Sequence, residues 1–183
     1  MLLEQWNNLP KIWRITAYKT WMLFFEHKFP LSTYLWDDSY GMDFLLCKVL
    51  NIESSDPEKD LSHLDSIIEE VMRNITTDIL DNIFSMEFLS LHSGITYLSP
   101  LRYFPNIKVL DFHCMNESRI TDFSILSNRN KVYILDYADY KIIDFDKYSN
   151  IRDFDNVEYI KEYGFPSQMD QIYRELKRYK IDE

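Results

Sequence analysis

A short apolar pattern that returns along the second half of the chain constrains its fold more than any other feature. Met86-Glu-Phe-Leu89-Ser-Leu91 is matched by Ile107-Lys-Val-Leu110-Asp-Phe112 and by Val132-Tyr-Ile-Leu135-Asp-Tyr137. Val157-Glu-Tyr-Ile160 begins a fourth copy, so successive units start 21, 25 and 25 residues apart. Each strand-like run is followed by apolar residues at steps of three. These are Ile95, Leu98, Leu101 and Phe104, then Ile120, Phe123 and Leu126, then Ile142, Phe145, Tyr148 and Ile151. A unit this small cannot bury its apolar edge alone, so the pattern predicts units stacked into a solenoid with a parallel sheet.

A strand followed by a spaced arc, in units of about 20–29 residues, is the signature of a leucine-rich repeat. GITYLSPLRYFPNIKVLDF (94–112) and RITDFSIL (119–126) resemble the internalin-type leucine-rich repeats of bacteria. The resemblance covers residues 86 to 160 and implies a strand, an Ile-Thr-Asp segment and a Ser-Pro-Leu turn in each unit. The chain departs from that family where an asparagine follows the strand, since Gly94, Met115 and Tyr140 stand there. Cys114 to Ser118 reads as an insertion.

An open solenoid needs both ends covered. The N-terminal zone is dense in aromatics, including Trp6, Trp13, Tyr18, Trp21, Phe24 and Phe25. Ile12, Ile15, Lys19, Met22 and Glu26 recur at helical steps between Pro10 and Pro30, and a second helix is expected from Tyr40 to Leu50. Ser55-Asp56-Pro57-Glu58 is a helix start, followed by Leu61, Leu64, Ile67, Ile68, Val71, Met72 and Ile75 on one face. A shorter helix is expected over 76–84. A C-terminal helix from Ser167 to Tyr179 carries Met169, Ile172, Tyr173 and Leu176 on one side. The expected fold is therefore α/β: a short leucine-rich-repeat solenoid with a helical, aromatic-rich N-terminal cap and a C-terminal capping helix. The corresponding domains are 1–84, 85–163 and 164–183.

Composition narrows the chemistry. With 3 glycines, the chain holds neither a dinucleotide fingerprint nor a P-loop. Cys47 and Cys114 give no disulfide framework and no metal-binding spacing, and no nucleophile elbow or His-Glu-x-x-His site occurs. No cofactor and no metal are expected. With 30 acidic against 20 basic residues, the formal charge is −10, which opposes direct binding to nucleic acid and suits a basic protein partner. The N-terminus lacks the apolar stretch of a signal peptide, and the apolar run from Trp21 to Phe25 is too short to span a bilayer. A cytoplasmic protein with no membrane partner is expected.

Strand residues outside the core are expected to line a concave face. Phe88, Val109, Ile134 and Tyr159 would form an apolar row there, beside a row carrying Asp111 and Asp136. An apolar strip flanked by carboxylates combines a desolvated anchor with charge for steering. The candidate partner-binding residues are Glu87, Phe88, Asp111, His113, Tyr133, Asp136, Asp139, Glu158 and Tyr159. From Val132 to Ile160 seven acids face three bases, which adds to the acidic character of this region. His92 and His113 share a repeat position and, with Asp111, form the one candidate catalytic constellation, that of a hydrolase or a metal site.

The whole profile is similar to bacterial immunity proteins, the small acidic antidotes of contact-dependent growth inhibition and other polymorphic toxin systems. The resemblance implies a non-enzymatic inhibitor that covers the active site of a basic toxin domain. Such toxins are commonly nucleases, including tRNA-cleaving ribonucleases of the EndoU type. A leucine-rich-repeat adaptor for another protein is the alternative.

Overall fold

Prolines mark two helix starts, because a residue without an amide hydrogen is harmless in the first turn. Pro10 precedes α2 (Lys11–Trp21), which follows the short α1 (Leu2–Asn8), and Pro57 opens α3 (Pro57–Met72). Thr76 starts α4 (Thr77–Phe84), its Oγ1 accepting the Ile79 amide at 3.3 Å as an N-cap. The structure, a computed structural model, describes residues 1–27, 46, 49–50, 57–91, 94–112, 120, 122–135 and 155–160. The chain divides into two compact units, Met1–Ile83 and Phe84–Glu183.

In the first unit α2 is buried throughout its second half, from Ile15 to Trp21, while Lys11 at its start is exposed. Trp13, Ile15, Ala17, Tyr18, Trp21, Met22, Leu23 and Phe24 are all in the core, together with Thr16, Lys19 and Thr20. Because Thr16, Lys19 and Thr20 are buried along with the apolar residues, the sequence of this helix shows no clean polar face. The Thr20 hydroxyl satisfies itself by donating to the Thr16 carbonyl at 2.9 Å. Beyond Trp21 the helix widens into a π turn, Met22–Glu26, closed by the His27 amide on the Met22 carbonyl at 3.0 Å.

Helix α3 packs on α2 through a narrower stripe than the sequence suggests. Leu64, Ile68 and Met72 are buried, whereas Val71 is 40 % exposed and Ile67 and Ile75 are half-buried. Two ion pairs link the helices in opposite chain order, Lys11 to Glu69 and Lys19 Nζ to Asp65 Oδ1, the latter at 2.7 Å. The expected helix over Tyr40–Leu50 lies outside the described residues except at Leu46, Val49 and Leu50.

The second unit holds a parallel sheet of four strands in chain order: β1 (Phe88–Ser90), β2 (Val109–Asp111), β3 (Val132–Leu135) and β4 (Val157–Ile160). The architecture is α/β, as the sequence predicts. Parallel neighbours need a long return connection, usually an α-helix. Here 3₁₀ turns, Ser99–Tyr103 and Ser124–Leu126, lie in the first two returns. The residues expected on the first two arcs are core: Ile95, Leu98, Leu101 and Phe104, then Ile120, Phe123 and Leu126; the third expected arc, Ile142, Phe145, Tyr148 and Ile151, lies outside the described residues. Phe84 meets Phe104 with ring centroids 5.4 Å apart, and Phe112 stacks on Phe123 at 6.4 Å.

The register corrects the sequence alignment at one step. Phe88 pairs with Val109 and Val132 with Val157, as aligned, but Val109 pairs with Tyr133 and not with Ile134. The rows across the sheet are therefore Phe88, Val109, Tyr133, Glu158 and Ser90, Asp111, Leu135, Ile160. A one-residue shift exchanges the two faces of a strand. The capping helix expected over 167–179 lies outside the described residues.

Candidate functional site

Three of the candidate recognition residues are core and cannot form an exposed concave face. Phe88, Asp111 and Tyr133 are 0 %, 0 % and 1 % exposed. All three residues of β1 and all three of β2 are buried, so both faces of these strands are covered. The expectation of an open face assumed that alternate strand residues meet water. In a parallel sheet covered on both sides that alternation vanishes.

Asp111 has a structural partner. The Ser90 hydroxyl donates to Asp111 Oδ2 at 2.7 Å, across the β1–β2 pair and within the core. A hydrogen bond of this kind offsets part of the desolvation of a buried carboxyl group. Glu87, at the strand entrance, is half-buried and its Oε1 accepts from Lys108 Nζ at 2.8 Å. Tyr133 lies under the Lys131 ammonium, 4.6 Å from the ring centroid.

Glu158 and Tyr159 fall on β4, opposite Tyr133 and Ile134. His113, Asp136 and Asp139 lie outside the described residues, as does His92, so the proposed histidine pair does too. Among the described residues no group of three or more His, Cys, Asp or Glu side chains could hold a metal ion.

Two polar residues that the sequence did not single out bind consecutive repeats together. Arg129 donates to the Phe104 carbonyl at 2.9 Å and, through its other terminal nitrogen, to the Leu101 carbonyl. Asn156 Nδ2 donates to the Leu126 carbonyl at 2.7 Å and to the Arg129 carbonyl at 3.1 Å. Arg129 thus reaches from before β3 to the turn at Ser99–Tyr103, and Asn156 from before β4 to the turn at Ser124–Leu126. The Leu101, Phe104 and Leu126 carbonyls each also accept a backbone amide, so these side chains engage the second acceptor position of carbonyls already in the turn. Burial among the turns lowers the Arg129 pKa from its ordinary value. Asn156 carries a detectable signal, since Asn106, Asn130 and Asn156 all stand just before strands. Arg129 carries none.

Among the described residues the exposed acids are accompanied by exposed bases, Lys11, Arg73, Arg102 and Lys131. Asp122 and Asp155 are exposed in the second unit, and Glu4, Glu26, Glu70, Asp78 and Asp81 in the first. The Ser124 side chain and amide hold the Asp122 carboxyl below its usual range, the amide donating to Oδ1 at 2.9 Å. Among the described residues no helix is long and apolar enough to cross a membrane. Compared with protein-family models, curated proteins and solved structures, the chain gives no match.

Proposed function

We propose that this chain is an acidic binding protein that neutralises a basic toxin domain, as bacterial immunity proteins do. In this reading the partner is a nuclease and inhibition is by occlusion of its cleft in the cytoplasm. The sheet is then the described part of a short leucine-rich-repeat solenoid. The observation that carries the reading is the charge: a formal −10 on 183 residues, with Asp122, Asp155 and five acids of the first unit at the surface. A net excess of one sign raises the rate at which a partner of the other sign is met.

The solenoid reading rests on strands paired in chain order, on buried arc residues between them, and on the Arg129 and Asn156 bonds to preceding turns. The buried strand residues move the proposed contact surface to the exposed carboxylates. A test is co-expression with the C-terminal domain of a large secreted protein encoded immediately upstream. The expected result is co-purification at nanomolar affinity and restored growth of cells that make that domain. Capture of a housekeeping protein, with no protection, would favour the adaptor reading.

A further inference from the structure

The helical unit contains a cleft of about 380 Å³, large enough for a small organic ligand. Its charge runs against that of the chain. Lys11, Arg14 and Arg73 line it together with a single carboxylate, Glu69, and that carboxylate is already engaged by Lys11. Arg14 Nε is buried in the wall without a hydrogen-bond partner. Among the described residues neither Arg14 nor Arg73 has an ion pair or a side-chain hydrogen bond. A buried guanidinium N–H left without an acceptor is costly, so an acceptor arriving from outside is favoured.

The rest of the lining is the amide of Asn7 and an apolar wall supplied by Leu3, Trp6, Met72 and Ile75. An inorganic anion would use the arginines and leave this surface wet. A neutral hydrocarbon would use the surface and leave the guanidinium donors unmet. We infer that the cleft binds a small amphipathic carboxylate, its head group held by Arg14 and Arg73 and its hydrocarbon body by Trp6 and Met72. The planar guanidinium fork matches a carboxylate, which accepts two parallel N–H bonds. The inference does not rest on the proposed toxin contact.

The test uses the full chain with octanoate and 3-phenylpropionate as probes and 1-octanol as the uncharged control. Binding is followed by calorimetry and by the Trp indole N–H signals in NMR spectra. Saturable binding of the acids is expected, with octanol about tenfold weaker or more. Arg73 is exposed, so Arg73→Gln is expected to keep the fold and weaken octanoate about tenfold; Arg14→Gln acts in the same direction. Circular dichroism checks both variants, and Arg73→Gln decides alone if Arg14→Gln unfolds. Absence of saturable binding, equal affinity for octanol, or unchanged octanoate affinity in the folded variants would overturn the inference.

Discussion

The Ser90 hydroxyl and the Asp111 carboxylate meet at 2.7 Å inside the core of the sheet, one residue from each of two parallel strands. This contact fixes what Asp111 does. A carboxylate placed there cannot steer a partner by its charge, but it can couple two repeat units.

A double-substitution cycle tests that coupling. Ser90→Ala removes a donor from a buried carboxylate and is expected to destabilise the fold by about 1–3 kcal/mol in urea unfolding. Combined with Asp111→Ala, the loss falls short of the sum by on the order of 1 kcal/mol. Additive losses would show that the two side chains are independent.

Lys19 is 1 % exposed, while its partner Asp65 lies nearer the surface. Asp65→Ala removes an ion-pair partner from a buried ammonium and is expected to cost on the order of 3 kcal/mol. Lys19→Met leaves a carboxylate that is about a third exposed although its Oδ1 is buried, and its cost is expected to be smaller than that of Asp65→Ala. Chemical unfolding of both variants checks the asymmetry; equal losses would contradict it.

Arg129 and Asn156 act on the turns. Arg129→Ala leaves the Leu101 and Phe104 carbonyls without these donors and is expected to cost about 2 kcal/mol. Asn156→Ala is expected to cost about 1–2 kcal/mol through the carbonyls of Leu126 and Arg129. Amide exchange is expected to quicken around 101–107 in the first variant and around 126–132 in the second. Uniform quickening along the sheet would point to global loosening instead.

Alkaline stability follows from Tyr18. Burial first, and the nearby charge of Glu26 second, raise its pKa above the ordinary 10.0. The folded state holds this proton where the unfolded chain releases it, so the contribution is full below about pH 10 and is lost as pH rises through the folded pKa. Melting temperatures of the wild type are therefore expected to fall above pH 10 more steeply than those of Tyr18→Phe. Parallel curves would remove Tyr18 from the account.

Much of the fold was legible in the sequence because burial imposes a period. The arc residues from Ile95 to Phe104 and from Ile120 to Leu126, the helix start at Pro57 and the first strand pair all fall where the spacing puts them. The β2–β3 register was not legible. Val132-Tyr-Ile-Leu is apolar at every position, and a strand covered on both faces has no alternation to set its phase. The same lack of alternation hid the burial of Phe88, Asp111 and Tyr133. Arg129 was hidden for another reason: a turn arginine resembles any solvated cation until the carbonyls it caps are seen.

The central claim is that the acidic surface neutralises a basic toxin, and direct titration of the toxin's nuclease activity tests it best. Activity is expected to vanish at one equivalent of this protein, and affinity to weaken as salt rises, because opposite surface charges draw the pair together. Asp122→Lys with Asp155→Lys is expected to weaken inhibition most at low ionic strength. Full nuclease activity at low salt in a large molar excess of the folded wild-type protein would contradict the claim.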